Sequence, residues 1–280
     1  MIITALLGKA CSVRQSRVVS RLFRGTTFLF IGVLLMASCA RAPEATPTAI
    51  PSRTRFSCTQ PGNVQTLAVD SFGDIGLYLP PCYVGEVGSR YPVLYLLPGF
   101  GGTHMSWFDT GLAPLTDGLI QSNEIPPFLI VTTDDTYEGV NPADIIDMLL
   151  PYIDSHYRTL PDRLHRAIAG GSLGGASAYI LTFQHPDLFS DAGVFGNGLI
   201  TGQDSQLEDW LKGVPEGLKP RVFLNSGEQD TWMLQQAKAL IPYLDKFGIE
   251  HTEIFSTGGH SGSYWLSNFP AYYQWLAKDW

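Results

Sequence analysis

Cysteine is scarce in this 280-residue chain, with only Cys11, Cys39, Cys58 and Cys82. None of them forms a CxxC pair or sits near histidine at metal-ligand spacing, which argues against a zinc site. Charged residues are also few, at 16%, and the acidic ones are scattered, as on an ordinary solvated surface. No internal repeat is found, so a solenoid array is excluded. The uncharged apolar run Gly25 to Ser38, GTTFLFIGVLLMAS, stops at 14 residues. A permanent membrane-spanning helix needs ~20.

What precedes that run gives it a purpose. Residues 1–38 carry five basic side chains (Lys9, Arg14, Arg17, Arg21, Arg24) and no acidic one. A basic region, a short apolar core and small residues at its end describe an export signal; the competing reading is an uncleaved N-terminal anchor. Met36-Ala37-Ser38-Cys39 resembles a bacterial lipobox, with Met36 where leucine is usual, so Cys39 is the expected lipidation site. Lipid anchoring at the cell surface or membrane is preferred to plain secretion. Ala40 to Thr54 is rich in Pro, Ala and Thr, and buries too little surface to offset its ordering entropy. The expected organisation is a signal (1–38), a flexible tether (39–55) and one folded domain (56–280), long enough for a substantial core.

Removing the signal leaves 13 basic and 26 acidic residues. That balance discourages nucleic acid and anionic surfaces as partners, leaving an N-terminal lipid as the only expected membrane contact. In an oxidising compartment Cys58 and Cys82 are expected to pair. A bridge closing a loop of this size contributes about 3 kcal/mol in the loop-entropy model.

Short apolar or β-branched runs recur at Val64–Val69, Ile75–Leu79, Pro92–Leu97, Phe128–Thr132, Arg166–Ala169, Ala192–Phe195, Arg221–Asn225 and Thr252–Phe255. Several are almost wholly apolar, as in strands buried on both faces of a parallel sheet. Helical spacing separates them at Pro142–His156, Ala176–His185 and Leu234–Phe247, and Pro270–Trp280 closes the chain. The first two strands have no helix between them and predict an antiparallel edge. The remainder alternates strand and helix, which predicts a doubly wound α/β fold.

One turn in this pattern carries chemistry. Gly170-Gly171-Ser172-Leu173-Gly174 is G-x-S-x-G, with an apolar strand before it and a helix after it. A serine lifted on a sharp strand-to-helix turn needs glycines two residues either side, because side chains there would strike the neighbouring backbone. Its Oγ would face the positive end of the following helix.

A serine hydroxyl needs a base, and the base an orienting carboxylate. His260, in the loop Ser256–Ser263 beyond the last strand, is the expected base; His251 falls at that strand's start. Glu228 and Asp230 both follow the preceding strand, and Asp230, further into the loop, is favoured. An oxyanion site needs two backbone N–H groups. Leu173 supplies one, and the loop Leu97-Pro98-Gly99-Phe100-Gly101-Gly102 supplies the other, with the Phe100 amide as donor.

The succession LYLLPGFGG, Trp107, LLPYIDSHYRT, RAIAGGSLGG, LNSGEQD and GGHSGSYW resembles the Putative esterase branch of the α/β-hydrolases. That branch includes feruloyl and acetyl-xylan esterases, S-formylglutathione hydrolases, siderophore esterases and mycolyltransferases. The resemblance runs from about Leu79 to Trp280. It implies a mostly parallel sheet with helices on both faces, a Ser172–Asp230–His260 triad, Phe100 and Leu173 amides as the oxyanion hole, and no cofactor or metal. Members often carry histidine where Pro98 stands, which affects the donor geometry of that loop.

Between Gly196 and Lys219 there is room for only a small lid, with a short amphipathic piece at Leu207–Leu211. His104, Trp107, Trp232 and Trp265 lie next to the motif loops and are the candidate substrate contacts, with His104 at the rim. His156 is expected to cap its helix. The expected activity is a serine carboxylesterase acting on short-acyl or carbohydrate-linked (feruloyl or acetyl) esters. Acyl transfer to a sugar hydroxyl and a non-catalytic ligand-binding lipoprotein are the competing readings.

Overall fold

The structure is a computed structural model that describes residues 58–280. The expected signal, the tether and Cys39 lie outside the described residues.

β1 (Asn63–Val69) and β2 (Gly73–Leu79) form a hairpin in which Asn63 faces Leu79 and Val69 faces Gly73. Its turn uses positive φ at Ser71 and Gly73. Six further strands follow: β3 (Val93–Leu97), β4 (Leu129–Thr132), β5 (Arg166–Gly171), β6 (Asp191–Phe195), β7 (Arg221–Gly227) and β8 (His251–Ser256). They complete an eight-stranded sheet in the order β1-β2-β4-β3-β5-β6-β7-β8. β3 through β8 are mutually parallel, and β2 joins β4 antiparallel. Each expected strand is present to within two residues at either end, and the antiparallel edge lies where the missing first helix placed it. β5 and β7 run on through Gly171 and Gly227, because Phe195 and Ser256 on neighbouring strands pair with them.

The helices are α1 (Ser106–Asp109), α2 (Leu112–Gln121), α3 (Pro142–Asp144), α4 (Leu150–His156), α5 (Leu173–Gln184), α6 (Asp204–Gly213), α7 (Thr231–Phe247) and α8 (Gly262–Leu276). A π-helical segment, Ile145–Leu149, joins α3 to α4. Alternation along the strands sends side chains to two opposite cores. Leu94, Leu96, Ile130, Ala169, Phe195 and Phe223 pack with α1, α2 and α8. On the other face Tyr95, Leu97 and Ile168 pack with the α3–α4 run and α5, and Val194, Val222 and Leu224 pack with α5, α6 and α7. All five β3 residues are buried. Each such leucine or valine contributes about 1.5–3 kcal/mol relative to exposure.

α8 differs from expectation: it begins at Gly262, and Pro270 lies inside it rather than at its start. Ser261 caps the helix by accepting the Tyr264 N–H. An interior proline costs ~3 kcal/mol, and burial of Trp265, Phe269, Tyr272 and Trp275 on the sheet offsets it. His156 ends α4, with Nδ1 2.9 Å from the Tyr152 carbonyl oxygen, as its expected capping role requires. Cys58 and Cys82 form the expected disulfide, with Cα atoms 5.9 Å apart. It ties the entry of β1 to the turn after β2.

Candidate active site

All six parallel strands end on one edge of the sheet, and the loops leaving that edge build the site. Ser172 occupies the turn between β5 and α5 at φ +52°, ψ −119°. Holding a non-glycine residue in such a region costs of order 1–3 kcal/mol, so its surroundings must enforce it. The Ser172 N–H donates to the Phe195 carbonyl at 2.7 Å, and Asn197 Nδ2 donates to the Ser172 carbonyl at 2.8 Å. The flanking glycines are required by contact. A Cβ on Gly170 would lie 2.4 Å from the Gly174 carbonyl carbon, and one on Gly174 would lie 2.4 Å from the Leu97 carbonyl oxygen.

The loop after β3 comes directly over this turn. A Cβ on Gly99 would be 3.3 Å from Ser172 Cβ. The Gly102 N–H closes the loop onto the Gly99 carbonyl at 2.9 Å, with Gly101 at φ +70°. Neither the Phe100 nor the Leu173 N–H has a hydrogen-bond partner among the described residues.

Two consecutive aspartates after β4 hold this loop in place. Asp135, 5% exposed, accepts the Gly101 N–H on Oδ2 at 3.1 Å. Its Oδ1 accepts the Tyr137 and Glu138 N–H groups at 2.8 and 3.0 Å. Burial raises its pKa, but the three donors together outweigh that and hold the carboxyl below its usual value. Asp134 Oδ1 accepts the His104 N–H at 2.8 Å and lies 2.9 Å from His104 Nδ1.

Across the site, Asp230 precedes α7 and His260 precedes α8. His260 Nδ1 lies 2.5 Å from Asp230 Oδ2. Their loops bond to each other: the Glu228 N–H donates to the Ser256 carbonyl and the Gln229 N–H to the Gly258 carbonyl, each at 2.9 Å. The Glu228 carboxylate is exposed and accepts the Thr257 hydroxyl at 3.3 Å. Of the two candidate acids, Asp230 is the one paired with the imidazole. The His260 ring stands edge-on to Trp265 at 5.0 Å.

Ser172 and His260 line one cavity of about 460 Å³, together with Phe100, Trp107, Thr110 and Trp265. Trp107 is fixed by its Nε1 donating to the Leu97 carbonyl at 3.1 Å and by a tilted contact with Trp265. No residue between Gly196 and Pro220 lines the cavity. α6 packs Leu207 and Leu211 against Tyr179 and Phe183 instead, so it does not form a lid over Ser172. Two of the four candidate contacts lie elsewhere. His104 turns back onto Asp134 as an anchor of the loop, and Trp232 lines a separate groove beside α7. Asn197 and Asp135 were missed by the sequence reading, because their roles consist of bonds to the backbone of other loops. Among the described residues no group of three His, Cys, Asp or Glu side chains is placed to hold a metal ion.

The arrangement offers a strained serine at a helix N-terminus, an imidazole bonded to a carboxylate, and two unengaged amides near the serine. A family model described as Putative esterase matches residues 73–276. An endo-1,4-beta-xylanase/feruloyl esterase of Xylanibacter ruminicola is 32% identical over 191 residues, 60% of this chain and 25% of that protein. The chain spans about a quarter of the length of the curated relatives it matches. Among solved structures, a ferulic acid esterase has a TM-score of 0.67 at 23% identity, covering 78% of this chain and 97% of the other. A ferulic acid esterase from Anaeromyces mucronatus, in complex with ferulic acid, has a TM-score of 0.64 at 20% identity, covering 80% and 95%. With a family match over most of its length and the fold that match requires, the chain belongs to the Putative esterase family of the α/β-hydrolase superfamily.

Proposed function

We propose that the protein is a serine carboxylesterase acting on short-acyl or feruloyl esters of carbohydrate. The observation that carries this reading is the 2.5 Å His260–Asp230 pair sharing one cavity with Ser172 in its elbow. Asp230 engages Nδ1, which leaves Nε2 as the ring nitrogen free to take the Ser172 proton. Oγ attacks the ester carbonyl, and negative charge develops on its oxygen between the Phe100 and Leu173 amides. The alcohol then leaves with the proton held by His260. Water attacks the acyl-enzyme, His260 takes its proton and returns it to Ser172 Oγ, and the acid is released.

Family membership supports carboxylic ester hydrolysis. Substrate class is supported by the cavity, whose aromatic walls at Phe100, Trp107 and Trp265 suit a flat or short acyl group. Its unlidded mouth leaves room for a bulky alcohol outside. The related Xylanibacter protein combines xylanase and feruloyl esterase in its name, in keeping with an ester on a plant polysaccharide. Export and lipidation at Cys39 complete the proposal, placing the enzyme where polymeric substrate can reach it.

The test is a panel of p-nitrophenyl acetate, butyrate and octanoate, methyl ferulate and an acetylated xylo-oligosaccharide, run on the protein and on Ser172→Ala. Methyl ferulate or the acetylated sugar is expected to be preferred, with the variant inactive on all. Preference for octanoate would overturn the substrate class, and activity retained by the variant would overturn the mechanism.

A further inference from the structure

Trp232 is 62% exposed on the first turn of α7. It makes no contact with another aromatic ring among the described residues. It lines a groove of about 300 Å³ with Thr201, Gly202, Asp204, Gln235 and Gln236. The backbone carbonyl of Gln236 accepts the Leu199 N–H, while its side-chain amide makes no hydrogen bond among the described residues and is open to the groove. Asp204 accepts the Tyr243 hydroxyl at 2.9 Å on one oxygen, which leaves the other for a ligand. Gly202, at φ +86°, has open space where a side chain would stand.

We infer that this groove is a binding subsite for a neutral pyranose unit of the polysaccharide that carries the ester, separate from the acyl cavity. The chemistry selects the ligand. A sugar ring presents an apolar C–H face that an exposed indole can cover, and hydroxyls around its edge that both donate and accept. The amides of Gln235 and Gln236, the Thr201 hydroxyl and the free Asp204 oxygen match that edge. No lysine or arginine lines the groove, so phosphate and uronate have no counter-charge, and Asp204 repels them.

Topology places the groove where such a ligand needs it. Thr201 and Gly202 follow β6 and Trp232 follows β7, whereas Ser172 follows β5 and His260 precedes α8 after β8. The groove therefore opens on the same edge of the sheet, beside strands lying between those that carry Ser172 and His260. An oligosaccharide reaching both places would run along this edge, across β6 and β7. The inference rests on reading the Ser172 cavity as the ester site.

Xylohexaose and cellohexaose, neither of which bears an ester, test the groove without catalysis. Calorimetry on the full chain is expected to show binding of at least one of them, but not of polygalacturonate. Trp232→Ala is expected to weaken that binding about tenfold, the worth of one stacking contact, with Trp232→Phe intermediate. Hydrolysis of methyl ferulate by Trp232→Ala should stay within about twofold, which also reports that the variant is folded. Binding of neither oligosaccharide, or equal binding by Trp232→Ala, would overturn the inference. Should the chain bind xylohexaose through Trp232 yet hydrolyse no ester, the esterase reading falls and the groove stands.

Discussion

Asp135 offers the sharpest perturbation of the oxyanion loop, because it touches the loop and nothing that reacts. Its Oδ2 holds the Gly101 N–H, whose peptide adjoins Phe100, while Oδ1 holds the Tyr137 and Glu138 N–H groups. Asp135→Asn keeps an oxygen for the latter two but turns an NH2 toward Gly101, donor against donor. Hydrogen bonds to charged groups contribute about 1.5–3 kcal/mol each, and a stranded donor costs ~1–3. Gly101, Tyr137 and Glu138 are all exposed residues, so water can relieve part of that. The expected destabilisation by urea melt is therefore about 2 kcal/mol for Asn and about 2–4 kcal/mol for Ala. Loss of a whole oxyanion donor lowers kcat about 10²–10³-fold. Asp135→Asn displaces the Phe100 amide without removing it, so kcat for methyl ferulate should fall about 10–100-fold, with KM nearly unchanged. A variant that loses stability while kcat stays within about twofold would refute the positioning role. The pH dependence has a definite sign. The folded carboxyl is held below its ordinary value by its three N–H donors, so its stabilisation is fully present above the unfolded value and fades as pH falls through the folded one. Below about pH 4 the native protein should lose this contribution, and the Asn variant should lack that part of the slope.

Other perturbations separate the remaining parts of the account. Asp230→Ala should lower kcat about 10⁴-fold, and Glu228→Ala should change it by less than about threefold, since only Asp230 reaches His260; steady-state kinetics showing the reverse would exchange their roles. Gly174→Ala drives a Cβ to 2.4 Å from the Leu97 carbonyl and should destabilise the fold by about 1–3 kcal/mol, read by thermal melt, with activity falling too; a neutral substitution would mean the elbow is looser than its contacts imply. The intact protein should weigh two hydrogens less than its reduced form, and reduction should cost about 3 kcal/mol. Cys39→Ala should release the protein from membranes on fractionation, and unchanged association would remove the lipid anchor from the proposal.

The fold was legible because its evidence is periodic. β3, β4 and β6 are short apolar runs buried on both faces, and such runs have few alternatives to a parallel sheet. The G-x-S-x-G turn was legible for a related reason: Gly170 and Gly174 are required by contacts with nearby backbone, so the sequence records the constraint directly. α8 was misplaced because Pro270 reads locally as a helix start, whereas the aromatic residues on its sheet-facing side hold the helix through it. α1 and α2 were missed although Leu112, Thr116, Leu119 and Ile120 recur at helical spacing; Gly111 and Pro114 mask that pattern. Trp232 and His104 stand beside motif loops in sequence, but the helix turns the first toward a second groove and Asp134 turns the second toward its own loop. Side-chain direction of this kind depends on partners 30 or more residues away, which sequence spacing does not encode.

The most direct test of the central claim is to trap the acyl-enzyme. The protein would be mixed with excess p-nitrophenyl acetate, quenched in acid and measured by intact and peptide mass spectrometry. A burst of nitrophenol approaching one per chain is expected, with the acetyl group on the peptide holding Ser172 and none on Ser172→Ala. Turnover without a burst or adduct, or an adduct on another residue, would contradict Ser172 as the nucleophile.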